Sequence, residues 1–275
     1  TSYRRAVGLC NVPINLKYET ANHFGIDPSR VYLEFVGLNH MDFVKKIYVD
    51  GKDITEQALD EFLNAAKTVK NIDDVPWDPD FIHGLGMIPN DYLRYYFKRE
   101  NMLKHQEKDY STVGTRGQVV SGIEHDLFEI YKDPKVDTKP EELARRGGAR
   151  YSEAACNLID SLYNNTGDVQ TVNVPNNGAI IGLEPEEVGE LNCIITDHGP
   201  LPITTGTIPV AVRGIIQTLK SIERLVIDAA VTGNYDEMVV AMTINPLVAD
   251  DAFGNKLLRE MLDANKDFLP KFFQK

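Results

Sequence analysis

The stretch Val31-Tyr-Leu-Glu-Phe-Val-Gly-Leu-Asn-His40 decides how this chain folds. Its first eight residues are β-branched, aromatic or apolar for the most part, and read as a strand. Val44 to Val49 reads as the partner strand, with Asp50-Gly51 as a turn. An early β-hairpin is therefore expected. Before it, residues 13–25 read as a short helix opened by Pro13 and closed near Gly25. After it, Asp53-x-x-Glu56 resembles a capping box at the start of a helix through about Thr68. Residues 71–91 hold Pro76, Pro79 and Pro89 and are expected to be mostly loop.

Helical spacing resumes at Asp91. Val119, Ile123, Leu127 and Ile130 mark one face of a helix that ends near Asp133-Pro134. Lys139 to Tyr151 is a basic interruption, with Lys139, Arg145, Arg146 and Arg150 around Gly147-Gly148. A helix follows to about Tyr163. Strands are expected at 169–174, near 179–183 and at 191–196, with a turn at Pro175-Asn-Asn-Gly178. The longest helix runs from Pro209 to Gly233, with Ile215, Leu219, Ile222, Val226 and Ala229 as its apolar stripe. Two shorter helices, at about 235–243 and 254–267, close the chain. The order is α+β: an early hairpin, a mostly helical second half and no regular βαβ alternation. No Gly-x-Gly-x-x-Gly follows a strand, and Gly84-x-Gly86 runs into Met87-Ile-Pro89, which cannot open the required helix. No nucleotide-binding domain is read in this chain.

The 275 residues are 43% hydrophobic and 25% charged, the balance of a folded protein. Lys+Arg 29 against Asp+Glu 41 gives 29 − 41 = −12, which argues against nucleic acid or an anionic membrane as the main partner. No apolar run approaches the roughly 18 residues of a membrane span, and no signal peptide is read. The three cysteines fit neither a disulfide framework nor a zinc ribbon, so reduced thiols in the cytoplasm are expected. Cys156 and Cys193 read as small buried hydrophobes.

Four motifs could carry chemistry. Gly8-Leu-Cys-Asn-Val-Pro13 sets a thiol at a helix start, where the dipole favours thiolate, a soft metal ligand; a structural cysteine is the alternative. Gly37-Leu-Asn-His40 ends a strand, and His40 could be a metal ligand, a proton carrier or a hydrogen-bonding cap. Ile88-Pro-Asn-Asp-Tyr-Leu-Arg-Tyr-Tyr-Phe97 clusters Tyr92, Tyr95 and Tyr96. Such spacing suits core packing, above all for Tyr95 and Tyr96, but a tyrosine beside a cation can also act as a base. Thr115-Arg-Gly117 offers an arginine for a phosphate or a surface salt bridge. His23 and His125 read as solvated, while His83 and His198, each next to a loop glycine, remain open to function.

Taken together, these segments resemble glycoside hydrolase family 4, the NAD- and divalent-metal-dependent glycosidases that work without a carboxylate pair. Cys10-Asn11-Val-Pro13 and Gly37-Leu-Asn-His40 are similar to that family's two metal-ligand motifs. Arg146-Gly-Gly-Ala-Arg-Tyr-Ser152 through Asn157, Val172 to Gly178, Gly199-Pro200 to Pro209 and the helix with Glu223 are similar to its second domain. The resemblance implies a fold like the C-terminal domain of lactate and malate dehydrogenases. It also implies that residues 1–275 form one metal- and substrate-binding and oligomerisation domain, whose NAD-binding Rossmann partner is missing and which is inactive alone.

Asn11 after the cysteine looks like the 6-phospho-β-glucosidases, where an aspartate would mark the α-anomer enzymes. The resemblance implies NAD and Mn²⁺ or another divalent metal as cofactors. The metal would sit on Cys10 and His40, with Tyr92 as base and Arg116 on the sugar 6-phosphate. Asn11 and Asn39 would orient sugar hydroxyls or the outer partners of the metal. It further implies a phosphorylated disaccharide as substrate and a homo-oligomer, dimer or tetramer. The alternatives are another family-4 activity (6-phospho-α-glucosidase or α-galactosidase), an isolated non-catalytic self-association module, or a lactate/malate-dehydrogenase-type catalytic domain. The last needs an Asp–His pair and substrate arginines in a pattern this sequence does not show.

Overall fold

The computed structural model describes residues 6–64 and 72–273. Helix α1 (Val12–His23) carries Pro13 in its first turn and leads into β1 (Val31–Leu38), which pairs antiparallel with β2 (Met41–Val49). The partner strand thus begins three residues before Val44, directly after the two-residue turn Asn39-His40. Met41, Asp42 and Phe43 are all buried there, and the carboxyl of Asp42 interrupts the apolar signal that marks a strand. Gly37 has φ +133°, and a Cβ on it would lie 2.2 Å from the Met41 carbonyl oxygen, so only glycine allows this tight return. Two short strands, β3 (Lys52–Asp53) and β4 (Ile88–Pro89), also pair with β2.

Helix α2 (Thr55–Asn64) begins as Asp53 accepts from the Thr55 backbone N–H (2.9 Å) and hydroxyl (2.5 Å), not through the expected pairing with Glu56. Its expected end near Thr68 lies outside the described residues. The segment expected to be loop contains helix α3 (Pro79–Leu85): Asp78 caps it by accepting from Phe81 N–H at 3.1 Å, and Gly86 closes it at φ +64°. Pro79 here opens a helix instead of breaking one. Then follow α4 (Arg94–Phe97), α5 (Arg99–Thr112), α6 (Arg116–Ile130), α7 (Glu141–Arg146) and α8 (Tyr151–Asn164). A reciprocal capping box does form, at α6, between Thr115 and Gln118.

The second sheet has the antiparallel order β5 (Val169–Pro175), β7 (Val188–Thr196), β8 (Gly199–Pro202). Two-residue strands β6 (Ile180–Ile181) and β9 (Gly206–Thr207) pair in parallel beside it. The sheets meet at β1 and β7, where the buried Asn192 side chain accepts from Phe35 N–H (2.9 Å) and donates to the Leu33 carbonyl (2.8 Å). The core fills the space around this joint with Leu33, Phe35 and Phe43 from one sheet, Val172, Leu191 and Ile195 from the other, and Ile216 from a long helix. That helix, α9 (Val210–Thr232), is followed by α10 (Tyr235–Ile244) and α11 (Asp251–Ala264). Its buried face is Val212, Ile216, Lys220, Ile222 and Ala229, whereas Val226 is exposed. The expected stripe is therefore turned partly outward. Lys220 is tolerated inside because its Nζ donates to the Val188 carbonyl at 2.7 Å and pairs with Glu223.

Cys193 is buried as expected, but Cys156 is exposed. The inner face of α8 is Ala154, Leu158 and Ser161, and Cys156 sits roughly 200° round the helix from Ala154. Among the described residues no helix is long and apolar enough to cross a membrane.

Candidate active site

The Cys10 segment is laid onto the second sheet by Gly8. Gly8 N–H donates to the Asn173 carbonyl (2.9 Å) and Asn173 N–H to the Gly8 carbonyl (2.8 Å), and a Cβ on Gly8 would lie 2.8 Å from the Asn173 Cβ. Cys10 is thereby buried at 2% exposure, with its Sγ accepting the Val12 backbone N–H at 3.5 Å. The helix start does not dominate this thiol. Burial first, and the Glu190 carboxylate second, push it up to about 11, while the Val12 N–H and the Asn39 amide pull the other way. Desolvation here outweighs the partial charge of the helix dipole.

His40 occupies the hairpin turn at φ +62°, a conformation unusual for a side chain of its size. Its ring stacks on Tyr92 with centroids 3.9 Å apart and planes 9° from parallel. Burial lowers the His40 pKa and favours the neutral imidazole that can ligate a metal. Tyr92 stands in a short 3-10 turn (Asp91–Leu93), where Asn90 accepts its backbone N–H at 3.1 Å. Behind it Arg94, 1% exposed, donates to the Val75 carbonyl at 2.9 Å and lies over the Trp77 ring at 5.0 Å. Tyr95 and Tyr96 are half-buried packing residues, as their spacing suggested.

Cys10, Asn39, His40 and Tyr92 therefore converge. Asn11 lies at the same edge, its amide donating to the Ala149 carbonyl at 2.8 Å. Arg116 stands one loop further away, donating to the Arg145 and Arg146 carbonyls at 3.1 and 2.8 Å, at the end of α7. The Gly147-Gly148 segment links these two places. His83 pairs with Asp60 at 3.3 Å and the side chain of His198 is 90% exposed, so neither joins the cluster.

Three groups at the site were missed in the sequence. Tyr151, at the start of α8, faces Cys10, Tyr92 and the Asn11 backbone N–H. Asp42 and Glu190, 1% and 0% exposed, hydrogen-bond to each other. Glu190 also accepts from Asn39 (3.5 Å) and Asn173 (3.3 Å), and Asp42 accepts from the Asn90 amide at 2.7 Å. Burial raises both carboxyls. Two carboxyls in hydrogen-bond contact share one proton. No local pattern marks such a pair, because its partners come from strands about 150 residues apart.

The chemistry of this pocket fits a divalent cation. Among the described residues, the charged neighbours acting on Cys10, Asp42 and Glu190 are each other, with no lysine or arginine among them. A sulfur and an imidazole nitrogen form a donor set for a borderline metal. Among the described residues no three His, Cys, Asp or Glu side chains are placed to enclose an ion. Cys10 and His40 would thus hold two positions and leave the others open to substrate oxygens and water.

A family model described as the family 4 glycosyl hydrolase C-terminal domain matches residues 35–248. The probable 6-phospho-β-glucosidase of Bacillus subtilis (strain 168) is 47% identical over 277 residues, covering 100% of this chain and 63% of that protein. The 6-phospho-β-glucosidase of Escherichia coli (strain K12) is 36% identical, covering 99% of this chain and 62% of its own length. Among solved structures, the 6-phospho-β-glucosidase of Thermotoga maritima with manganese, NAD⁺ and glucose-6-phosphate superposes with a TM-score of 0.85. It is 34% identical, over 96% of this chain and 61% of that one. The fold is thus that of the C-terminal domain of a family 4 glycosyl hydrolase. The chain belongs to glycosyl hydrolase family 4, and it spans 62–63% of the length of the curated relatives it matches.

Proposed function

We propose that this chain supplies the metal and substrate portion of a 6-phospho-β-glucosidase acting on phosphorylated β-glucosides of the cellobiose 6-phosphate type. The observation that carries this reading is the stacking of His40 on Tyr92 beside the buried Cys10. When bound, Mn²⁺ or a similar ion on Cys10 and His40 supplies Lewis-acid polarisation of the sugar C2 and C3 oxygens, and NAD, held mainly by another domain, supplies reversible oxidation at C3. Tyr92 takes the proton from C2, made acidic by the neighbouring carbonyl. The electron pair left at C2 forms a C1–C2 double bond as the C1–O bond breaks and the aglycone leaves with a proton from solvent. Water then adds at C1, and Tyr92 returns its proton to C2. The net change is hydrolysis. Asn39 and Asn11 orient hydroxyls, and Arg116, fixed by two carbonyls near the Asn11 loop, takes the 6-phosphate. Asn11 supports the β-anomer by its likeness to the 6-phospho-β-glucosidases; a carboxamide cannot donate a carboxylic proton, so no residue is assigned as the leaving-group acid.

The test supplies this chain with the rest of the Bacillus subtilis relative and follows cleavage of a 6-phospho-β-glucoside. Hydrolysis that needs both NAD and Mn²⁺ is expected. Hydrolysis that survives chelation and removal of NAD would contradict the proposal.

A homo-oligomer, dimer or tetramer, accompanies this reading. Val226, Ile227 and Val231 of α9 are exposed, as are Val240 of α10 and Phe253 and Met261 of α11. Apolar side chains gathered on one helical layer suit a second copy. Light scattering at rising concentration should show a species larger than the monomer; a strict monomer would remove this part.

A further inference from the structure

We infer that Asp42 and Glu190 are positioning residues, a buried carboxyl pair that holds the metal-ligating turn, the Cys10 segment and the Tyr92 turn in one register. The inference rests on the metal-site reading above and deepens it. Glu190 lies on β7 directly opposite Asn173 on β5. Its Oε1 accepts from the Asn173 amide at 3.3 Å, and the backbone of that same Asn173 carries the Gly8 pairing that seats Cys10. Its Oε2 accepts from Asn39, the residue before His40, which also bonds to the Cys10 thiol. Its third partner is Asp42, two residues after His40 on β2. Asp42 in turn accepts the Asn90 amide on Oδ2 at 2.7 Å, and its carbonyl accepts Asn90 N–H at 3.1 Å. Asn90 then caps the turn by accepting Tyr92 N–H. One continuous set of hydrogen bonds thus reaches the segments bearing Cys10, His40 and Tyr92.

These three groups come from separate elements: a segment paired to β5, a hairpin turn and a loop after β4. Nothing in their local sequence fixes their mutual distance. A buried carboxyl is costly unless every oxygen is partnered, so the pair persists only in the register that satisfies all its partners. Outer partners that orient metal ligands are worth about 10- to 100-fold in metal affinity.

The experiment measures Mn²⁺ affinity by electron paramagnetic resonance of free Mn²⁺, on the chain and three variants, with thermal unfolding recorded alongside. Glu190→Gln keeps the shape but turns one acceptor oxygen into a donor facing Asn39, Asn173 or Asp42. It is expected to weaken Mn²⁺ about 10- to 100-fold with folding still cooperative. Asp42→Asn can donate to Glu190 and still accept from Asn90, so it is expected to bind like the parent. Asn173→Ala removes one donor from Oε1 and is expected to weaken Mn²⁺ less than Glu190→Gln; if Glu190→Gln does not fold, this variant decides. Parental affinity in Glu190→Gln, or in Asn173→Ala where that variant decides, would overturn the inference. So would an Asp42→Asn that falls as far as Glu190→Gln, or a parent chain that binds no Mn²⁺. Failure of the glycosidase reading has a different mark: the expected Mn²⁺ pattern without hydrolysis of a 6-phospho-β-glucoside.

Discussion

Cys10 and Cys193 are both buried, and burial pushes both thiols up, to about 11 and about 12. Their surroundings differ in kind. Cys193 sits on β7 in the apolar joint between the sheets, where burial alone shifts it and its Sγ lies 3.6 Å from the Leu191 carbonyl. Cys10 is buried among polar groups: the Val12 N–H, the Asn39 amide and the Glu190 and Asp42 carboxyls. A thiol hidden among methyl groups behaves as a small hydrophobe. A thiol hidden among acids and donors, with no cation beside it among the described residues, occupies a place suited to a metal. Equal burial therefore carries opposite meanings, and the partners decide which.

The largest expected effect lies on the Cys10 side. Tyr92→Phe keeps the ring that stacks on His40 and removes the hydroxyl. Turnover of a 6-phospho-β-glucoside by the complete enzyme should fall by about 10²- to 10⁴-fold, the usual worth of a general base, while Mn²⁺ affinity stays unchanged. An equal fall in Mn²⁺ affinity would make Tyr92 a structural prop instead. Next comes His40→Asn, since asparagine tolerates the left-handed backbone that His40 adopts. Mn²⁺ affinity should drop by more than the roughly 10- to 100-fold of an outer-partner loss, with the melting temperature hardly moved. A large loss of stability would show that the ring, and not its nitrogen, is what the turn needs. A smaller effect separates the buried thiols from the third. Brief alkylation of the native chain at neutral pH should label the exposed Cys156 and spare Cys10 and Cys193, as mass spectrometry of peptides would show. Equal labelling of Cys10 would break its kinship with Cys193 as a buried group.

Far from the site, Asp53 gives the fold a small dependence on pH. The Lys46 ammonium first, then Thr55, hold its carboxyl down, from 3.8 to about 2. The stabilisation is present above the ordinary carboxylate value and is lost as pH falls through that window. Thermal unfolding of the parent and Asp53→Asn should differ near neutrality and converge toward pH 2; a difference that persists there would assign the effect to shape.

Much of the fold was legible because periodicity is local. The strand at 31–38, the strand at 169–174 and the long helix near 209–233 each carry their own pattern. Errors arose where a residue had two readings. Asp78-Pro79 opens a helix, yet in a proline-rich stretch it reads as loop. Asp42 is a buried strand residue, yet its charge reads as the end of the apolar run. The cysteine, histidine and tyrosine of the site could be singled out by residue type. Glu190 and Asn192 could not, since a polar residue inside a strand acquires its meaning from partners that only folding brings near. Asn192 bonds to Leu33 and Phe35, and Glu190 to Asn39.

Metal binding, proposed for Cys10 and not for Cys193, separates the two buried thiols most sharply. Mn²⁺ titrations of the chain, Cys10→Ser and Cys193→Ser, followed by paramagnetic resonance with glucose 6-phosphate present, test it most directly. Parental affinity is expected in Cys193→Ser, despite some loss of stability, and Mn²⁺ left free in a folded Cys10→Ser. Equal Mn²⁺ binding by all three would contradict it.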